Sequence, residues 1–467
     1  MVIPRAPLPP FAAVPRHGNG VESRAVPVQA GPPSYGMPVL LPSPLPADIG
    51  VVTMLLGAYV LMYVVPIAEI LVIYAHLHIP VVVIDGVILT IALPLTGRIG
   101  AFWKSPLAKP WMAMLAMMCL AAVAGQYPGR SVPFIFQYGL RFHVLPFYVV
   151  AIACTTRRVR YLMKWIAAGS VVLLLMCAAV GQITDERFEL ARTSLSNPND
   201  LAFSLVFAMA SLTLLVYSRS LPGKVLWFVT FPVCIYYILK TGSRANFVTL
   251  VIMGVVAFAL SSRGVRMAML VMMPLIVLMV TPFVPQETLH RLTLIVSNPT
   301  SARVEQGLKG AVDSQAARTE LQERAIELTL HHPLLGVGAQ MFTDAVEQMV
   351  RASLGIKSGW QGAHNTYLEI SAENGIPALI FYVWSLALCL ALNYRAYKIC
   401  KREPSMAENL PQCVCLVLTT AAFGVGALFS NSGYDPHVDV LVAMTAANFM
   451  ALESELGAKR APEAKPA

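Results

Sequence analysis

Apolar segments of about 20 residues recur along most of the chain and are separated by short polar stretches. A helix of that length crosses the hydrocarbon layer of a membrane, so the pattern predicts an all-α polytopic membrane protein with about twelve transmembrane helices. Prolines fall inside several of these segments, and packed membrane helices tolerate them. The predicted spans are residues 49–67, 70–96, 111–125, 137–156, 161–182, 199–217, 223–240, 244–262, 267–284, 376–396, 410–430 and 437–453.

One long polar interval, residues 286–363, interrupts this pattern between predicted spans 9 and 10. Within it, residues 314–330 place apolar side chains on one helix face and end just before His332-Pro333. Because the residue before a proline avoids helical geometry, the helix is expected to stop there. The sequence therefore predicts one large loop that is mainly helical.

Arg318 lies on the packed face of that predicted helix, three residues before Leu321 and seven before Ala325. A cation in such a position needs an anionic partner. A carboxylate in a salt bridge would serve, and so would a bound phosphate, whose oxygens match the guanidinium fork. Both interpretations stay open at this point.

The composition agrees with a membrane protein, since 57% of the residues are hydrophobic and only 13% are charged. A soluble domain carries about 25% charged residues. The net charge of +9 could indicate nucleic-acid binding, but the positions of the charges argue against it. With the N-terminus in the cytoplasm, the inner segments hold 21 of the 34 lysines and arginines and the short outer loops hold five. This asymmetry is the one expected of membrane topology.

The same assignment gives the expected domain organisation. Both termini are cytoplasmic, and residues 1–46, which contain 12 of the 34 prolines, are predicted to form a disordered tail. Spans 1–9 follow in residues 47–285, and the outer loop covers residues 286–363. An outer helix and spans 10–12 occupy residues 364–453, before a cytoplasmic tail in residues 454–467.

His364 stands where hydrophobic sequence resumes after the outer loop. An imidazole with a pKa near 6.5 can accept a proton from a hydroxyl nucleophile at neutral pH. In isolation, a His-Asn pair is more often a helix cap, but the location at the end of the loop favours a general base.

Three further arginines are candidates for binding an anion. Arg244 lies in a minimal outer turn at or near membrane depth, where an arginine is costly and indicates function unless it extends to lipid phosphates. Arg141 lies within a predicted span, and Arg192 precedes the polar run of residues 196–200. Helix-end and turn interpretations remain open for these two.

The remaining polar and cysteine patterns do not indicate a metal site or another catalytic motif. Asp435, His437 and Asp439 match no strong metal-site spacing, and we expect no metal ion and no other cofactor. The eight cysteines lie in or beside apolar segments, and no nucleotide-binding or serine-hydrolase motif has a usable context. The sequence therefore supports neither an ATP-driven pump nor a serine hydrolase.

The strongest motifs resemble those of the O-antigen ligase/polymerase superfamily, over about residues 190–400. In topology the resemblance extends to the whole chain and favours the ligase branch. The motifs are Thr241-Gly242-Ser243-Arg244-Ala245 before a span, the helix of Arg318 running into His332-Pro333-Leu334-Leu335-Gly336-Val337-Gly338, and His364-Asn365-Thr366-Tyr367-Leu368-Glu369 followed by Gly375-Ile376-Pro377.

This resemblance implies that Arg244 and Arg318 are the essential arginines and that His364 is the essential histidine. Arg141 and Arg192 are further candidates for binding the donor diphosphate. The chain departs from the superfamily at Gln322, where an aromatic residue is common, and at Ala378, where the ligase-type motif has a small residue, threonine or tyrosine three residues after its glycine.

The implied activity is transfer of O-antigen polysaccharide from undecaprenyl diphosphate to a sugar hydroxyl of lipid A–core, in lipopolysaccharide biosynthesis. The donor and acceptor are thus the expected partners, together with membrane lipids, and no nucleic acid is expected. The enzyme would lie in the bacterial inner membrane with its loop and active site at the periplasmic face. Arginines can neutralise the leaving diphosphate without a metal ion, and a single displacement would invert the anomeric centre.

Two kinds of alternative remain. An O-antigen polymerase or a protein O-oligosaccharyltransferase would share the donor chemistry and differ in the acceptor. A transporter or flippase of lipid-linked glycans would be expected to have internal repeats and charges at mid-membrane. We find no repeat between the two halves, and the candidate residues collect on one side of the membrane.

Overall fold

The structure is a computed structural model, which describes residues 50–67, 69, 72–73, 76, 81–184, 187–216, 220–284, 305–354 and 362–460. The predicted disordered tail, residues 70–71, 74–75 and 77–80 of the second predicted span, parts of the polar interval, and residues 461–467 of the predicted C-terminal tail lie outside these residues. The described part is almost entirely helical. Its helices are α1 (Val51–Val64), α2 (Val81–Leu95), α3 (Ala108–Ala124), α4 (Pro128–Tyr138), α5 (Leu145–Ile152), α6 (Thr156–Val180), α7 (Pro198–Val216), α8 (Leu221–Lys240), α9 (Arg244–Leu260), α10 (Arg263–Val280), α11 (Glu305–His331), α12 (Phe342–Leu354), α13 (Thr366–Arg402), α14 (Leu410–Gly426) and α15 (Pro436–Arg460).

Short elements connect some of these helices. Three-residue strands β1 (Gln182–Thr184) and β2 (Arg187–Glu189) form an antiparallel hairpin in which Ile183 is opposite Phe188. A π-helical turn (Gly139–His143) joins α4 to α5, and 3-10 turns occupy Phe102–Lys104, Thr281–Phe283 and Pro404–Asn409.

The expectation of an all-α polytopic membrane protein agrees with this architecture. Within the described ranges, seven helical segments are long and apolar enough to cross a membrane. They are Pro128–Ile152, Thr156–Val180, Pro198–Val216, Leu221–Lys240, Arg263–Phe283, Thr366–Arg402 and Pro404–Gly426. Four shorter apolar helices accompany them, at Val51–Met62, Val83–Leu95, Ala108–Ala124 and Arg244–Leu260. The count of twelve spans stays a prediction.

Helix α14 lies at the centre of the arrangement that forms the site, because α7, α9 and α13 all pack against it. Twelve of its 17 residues are buried. Asn393 of α13 donates to Thr420 of α14 at 3.0 Å and to Thr445 of α15 at 2.9 Å. Polar side chains that are satisfied in this way hold membrane helices together.

The polar interval contains two described helices, α11 and α12, as the mainly helical prediction requires. The predicted apolar face of α11 is buried, with Leu321, Ala325 and Leu328 in one cluster. The partners from α12 are Phe342, Ala345, Val346 and Val350. Helix α11 is longer than predicted, since it begins at Glu305 rather than at residue 314.

The turn after α11 packs directly on a kink in α13. Gly375 has φ 82° and ψ 169°, a conformation open essentially to glycine alone. A Cβ atom there would lie 2.2 Å from the carbonyl oxygen of Leu334. A Cβ atom on Gly336 would lie 2.3 Å from the carbonyl carbon of Glu373. The two glycines therefore permit close backbone contact, which the amide of Val337 completes by donating to Ala372 at 2.9 Å.

Glu373 fixes the start of α12 against the same kink. Its carboxylate accepts from the amides of Gln340 at 2.8 Å and Phe342 at 2.9 Å. The Tyr434 hydroxyl donates to it at 2.6 Å. A carboxylate at a helix N-terminus is stabilised by the unpaired amides and by the helix dipole. These contacts join the polar interval to the membrane helices.

Candidate functional site

Arg244 occupies the first turn of α9, after a tight turn that the sequence builds locally. Gly242 has a φ of 63°, which glycine adopts without strain. The Asn246 side chain donates to the Ser243 hydroxyl at 3.0 Å and to the Asn199 carbonyl at 2.9 Å. The second bond ties the start of α9 to the start of α7. Arg244 is half-buried at this junction.

Arg187 supports the same turn from the β-hairpin. Its Nε donates to the Thr241 carbonyl at 3.0 Å, and its Nη2 donates to the Asn199 Oδ1 at 2.9 Å. An arginine in a short outer loop has no local signature, so this role of Arg187 could not be predicted from the sequence. It fixes the Arg244 turn relative to α7.

Arg318 of α11 is half-buried and lies close enough to Arg244 for the two charges to interact. Among the described residues, its guanidinium makes no hydrogen bond and no ion pair. Burial, followed by the cation of Arg244, lowers the pKa of Arg318, and the carboxylate of Asp200 acts in the opposite direction. Two arginines that repel each other at the entrance to a helix bundle form a strong attractant for an anion.

His364 is held immediately before α13 by its backbone. It adopts a φ of 51°, which is uncommon outside glycine. Its amide donates to the Asn431 Oδ1 at 2.6 Å. The Asn365 side chain caps α13 by accepting from the Tyr367 and Leu368 amides. Asn365 thus takes the helix-cap role considered for the His-Asn pair, and the general-base role of His364 stays a prediction.

The next residue fastens this segment to the turn after α14. The Thr366 amide donates to the Ala427 carbonyl at 2.8 Å, and its hydroxyl donates to the Ser430 carbonyl at 2.7 Å. The Ser432 amide returns a hydrogen bond to the Thr366 hydroxyl at 2.8 Å. Three hydrogen bonds of Thr366 therefore fasten the segment that carries His364 to the turn after α14.

The imidazole of His364 is electrostatically tuned by its surroundings. Burial and then the nearby Arg318 cation lower the pKa of His364 to about 4. At neutral pH the ring is therefore uncharged and has a nitrogen lone pair that can accept a proton. It makes no side-chain hydrogen bond within the described part of the chain.

Two carboxylates complete the cluster, and the sequence analysis did not select either of them. Asp200 lies in the first turn of α7, close enough to Arg318, Arg187 and Asp435 for their charges to interact. Glu369 lies one turn into α13, and its charge interacts with those of Asp200 and Glu373. Asp200 looked like part of a helix cap in the sequence, and Glu369 looked like an ordinary helix residue.

Of the predicted site residues, the structure brings Arg244, Arg318 and His364 together. Arg141 lies in the π-helical turn, exposed, with its guanidinium 5.0 Å from the centre of the Phe142 ring. Arg192 lies in an exposed turn with a φ of 62°. No contact described for either residue reaches the cluster, so their roles in donor binding stay predictions.

The acidic residues after α14 have separate partners. Asp435 contacts the ring nitrogen Nδ1 of His437. Asp439 accepts from the Tyr138 hydroxyl at 3.2 Å and lies 3.6 Å from Nδ1 of His143. No set of three or more histidine, cysteine or acidic side chains in the described ranges could hold a metal ion.

The fold and the cluster together define a class of protein, a multi-pass membrane protein with an arginine-rich site at one end of its helix bundle. The O-antigen ligase family model matches residues 229–383, a range that contains Arg244, Arg318 and His364. This match supports membership of the O-antigen ligase/polymerase superfamily. No curated protein matches the chain. The family and the long apolar helices together point to a glycosyltransferase-like enzyme of the bacterial inner membrane.

Proposed function

We propose that the protein is an O-antigen ligase, an inverting and metal-independent glycosyltransferase. It would move O-antigen polysaccharide from undecaprenyl diphosphate to a sugar hydroxyl of lipid A–core. The observation that carries the proposal is the half-buried Arg318, which has no hydrogen-bond or ion-pair partner among the described residues and lies beside Arg244 and a neutral His364.

The arginines suit the donor. A diphosphate carries two or more negative charges and offers oxygens that a guanidinium binds in pairs. Partial burial of two like charges near each other is costly, and an anion between them removes that cost. The N-termini of α7 and α9, linked by the bond between Asn199 and Asn246, also favour negative charge. Arg318 and Arg244 would hold the leaving diphosphate without a metal ion.

His364 suits the acceptor. In the proposed step, the acceptor hydroxyl oxygen attacks the anomeric carbon of the first O-antigen sugar and forms a new glycosidic bond. The bond between that carbon and the phosphate oxygen breaks, and undecaprenyl diphosphate leaves with the electron pair. The hydroxyl proton passes to a ring nitrogen of His364. Attack opposite the leaving group inverts the anomeric configuration.

Basicity of His364 depends on the donor in this scheme. The positive charge of Arg318 contributes to the low pKa of the free imidazole. A diphosphate bound to Arg318 would offset that charge and raise the pKa of His364, which makes it a better proton acceptor. The acceptor hydroxyl is thus activated most strongly when the donor is in place.

The test is transfer by the purified protein in detergent, supplied with a glycan on undecaprenyl diphosphate and with lipid A–core, without ATP. We expect glycan on lipid A–core with inverted anomeric configuration, and we expect His364→Ala to abolish it. Glycan that lengthens on the lipid carrier would identify an O-antigen polymerase, and transfer to a protein would identify a protein O-oligosaccharyltransferase. Retention of configuration, or full turnover by His364→Ala, would contradict the proposed mechanism.

A further inference from the structure

The C-terminal end of α11 carries exposed apolar side chains that the candidate site does not use. Leu330 in its last turn and Leu334 in the turn that follows are each 70% exposed. Ile326, one helical turn before Leu330, is also exposed. By helical spacing, Leu330 lies opposite the buried face of α11 that packs on α12. A single exposed leucine is ordinary, but three exposed apolar side chains at one end of a helix indicate an interaction surface.

The turn after α11 lies where apolar helices end. The Pro333 carbonyl accepts from the amide of Ile376, the first residue of the apolar segment after the kink in α13, at 2.8 Å. The side-chain amide of Gln126 lies 2.9 Å from Nε2 of His332. Gln126 itself stands between the apolar helix α3 and the apolar segment that begins with α4. Leu334 therefore lies where three apolar segments meet the polar interval.

The adjoining face of α13 is exposed and apolar. Four side chains spaced three or four residues apart share this face: Ile376, Ile380, Val383 and Trp384. A membrane-spanning helix that exposes such a face meets lipid there. The Leu334 carbonyl packs on Gly375, directly before the first residue of this face. Leu334 thus extends the lipid-facing surface of α13 onto the polar interval.

We propose that Ile326, Leu330 and Leu334 form a membrane-contact surface, which inserts the end of α11 into the lipid bilayer at the end of the bundle that carries the site. Apolar side chains of interfacial helices enter the boundary between headgroups and acyl chains in this way. Glu320 and Glu323 are exposed in the preceding turns of α11, so the surface ends before them. Continuity with the exposed face of α13 makes lipid the occupant.

The contact would set the height of the arginine site above the membrane. Arg318 precedes Ile326 by eight residues on the same helix, which is about 12 Å along the helix axis at 1.5 Å per residue. The phosphates of a lipid-linked substrate lie at the membrane surface. A helix whose end is fixed in the bilayer therefore holds Arg318 at a constant distance from that surface. The lipid contact itself does not depend on the proposed reaction, and its test requires no turnover.

The experiment places the photoreactive residue p-benzoylphenylalanine at position Leu330 or Leu334 of the full chain, in nanodiscs of phosphatidylethanolamine and phosphatidylglycerol. Ultraviolet light joins the probe to C–H bonds within its reach, and mass spectrometry quantifies peptides that carry phospholipid. Ile380 on α13 is the lipid-facing reference, and the exposed Glu320 of α11 is the matched control. We expect adducts at both leucines within about threefold of those at Ile380 and about tenfold or more above those at Glu320, as for a leucine side chain that partitions into lipid.

A second variant tests the same contact without relying on the size of the probe. Leu330→Asp, with the probe at Leu334, should lower the lipid adducts about fivefold or more, because a charged side chain is disfavoured in the apolar part of the membrane. Melting temperatures within a few degrees of the native value identify the folded variants.

Lipid adducts at Leu330 and Leu334 no more frequent than at Glu320 would overturn the proposal. Adducts at Leu334 that Leu330→Asp leaves unchanged would also overturn it. Cross-links to a second copy of the chain, or to another part of the same chain, in place of lipid would show a protein contact and would contradict the membrane assignment.

Discussion

The depressed basicity of His364 gives a prediction that can be checked without any turnover. Burial is the largest cause and the Arg318 cation is the second. Removal of the cation by Arg318→Gln, which keeps a polar but uncharged side chain, should therefore raise the pKa of His364. Binding of undecaprenyl diphosphate to the native protein should shift it in the same direction.

The size of the effect follows from the pKa of about 4. At pH 5.5, about 97% of His364 would be neutral, whereas about 9% of an ordinary histidine with a pKa near 6.5 would be neutral. The pKa of His364 is lowered because its surroundings disfavour the charged imidazolium. Protonation is therefore complete only well below pH 4. The native histidine should thus keep its reactivity through the range in which a free histidine loses it.

Diethylpyrocarbonate reports the protonation state of His364, because it reacts with an imidazole in its neutral form and not in its protonated form. The peptide that contains His364 would be quantified by mass spectrometry after brief exposure at pH values from 4 to 8, with N-acetylhistidine in the same tube as reference. We expect the native midpoint about two pH units or more below that of the reference. The midpoint of Arg318→Gln should lie between the two.

A native midpoint near that of N-acetylhistidine would refute the electrostatic account of His364. A midpoint that Arg318→Gln leaves unchanged would show that the two side chains do not interact, and the cluster as described would then be wrong. Circular dichroism of the variant serves as the control for folding.

Four further outcomes are expected. Gly375→Ala should destabilise the protein by about 2–5 kcal/mol in thermal unfolding, because the backbone conformation is strained and the new Cβ meets the Leu334 carbonyl; Gly254→Ala, where a Cβ meets no atom within 4 Å, should not. Glu373→Gln should lower stability by about 1–3 kcal/mol through its lost charged hydrogen bonds, with an unaltered acceptor KM in the protein that remains folded. Arg244→Ala should abolish transfer while the melting temperature stays within a few degrees of the native value, which a folding defect would contradict. Excess EDTA should leave the transfer rate unchanged, and a rate restored only by added divalent cation would refute the metal-independent mechanism.

Local patterns in the sequence predicted the local structure well. The spacing of Leu321, Ala325 and Leu328 indicated an amphipathic helix, and these residues form its buried face. The predicted boundary between the outer helix and the span of residues 376–396 falls at Gly375-Ile376-Pro377, and Gly375 has a non-helical backbone there. Periodicity and glycine or proline signals act over a few residues, so a single sequence carries them.

Long-range contacts could not be predicted in the same way. Asn431, which holds the His364 amide, lies 67 residues further along the chain. The mutual approach of Gly336 and Gly375 depends on two turns that meet only in the folded chain. The resemblance to a superfamily identified Arg244 and Arg318 as candidates, but no spacing in the sequence shows that their charges lie side by side.

The positions of Asp200 and Glu369 show most clearly what could not be predicted from the sequence. Asp200 follows Asn197, whose side chain accepts from the Asn199 amide at 2.9 Å, so the predicted turn and cap are present. The local turn accounts for the polar residues in this segment, so the sequence gives no sign that the charge of Asp200 interacts with that of Arg318. Glu369 and Glu373 look alike in the sequence, and only the tertiary contacts of Glu373 distinguish the two.

In the proposed reaction, Arg318 and Arg244 together hold the diphosphate of the donor. The most direct test is the affinity of the detergent-purified protein for undecaprenyl diphosphate, measured by calorimetry for the native chain, Arg318→Ala and Arg318→Lys. We expect the Kd to rise about tenfold to a hundredfold or more in the alanine variant, and only partial recovery with lysine, because lysine cannot bind two oxygens in the guanidinium geometry. An affinity that Arg318→Ala leaves unchanged would contradict the account.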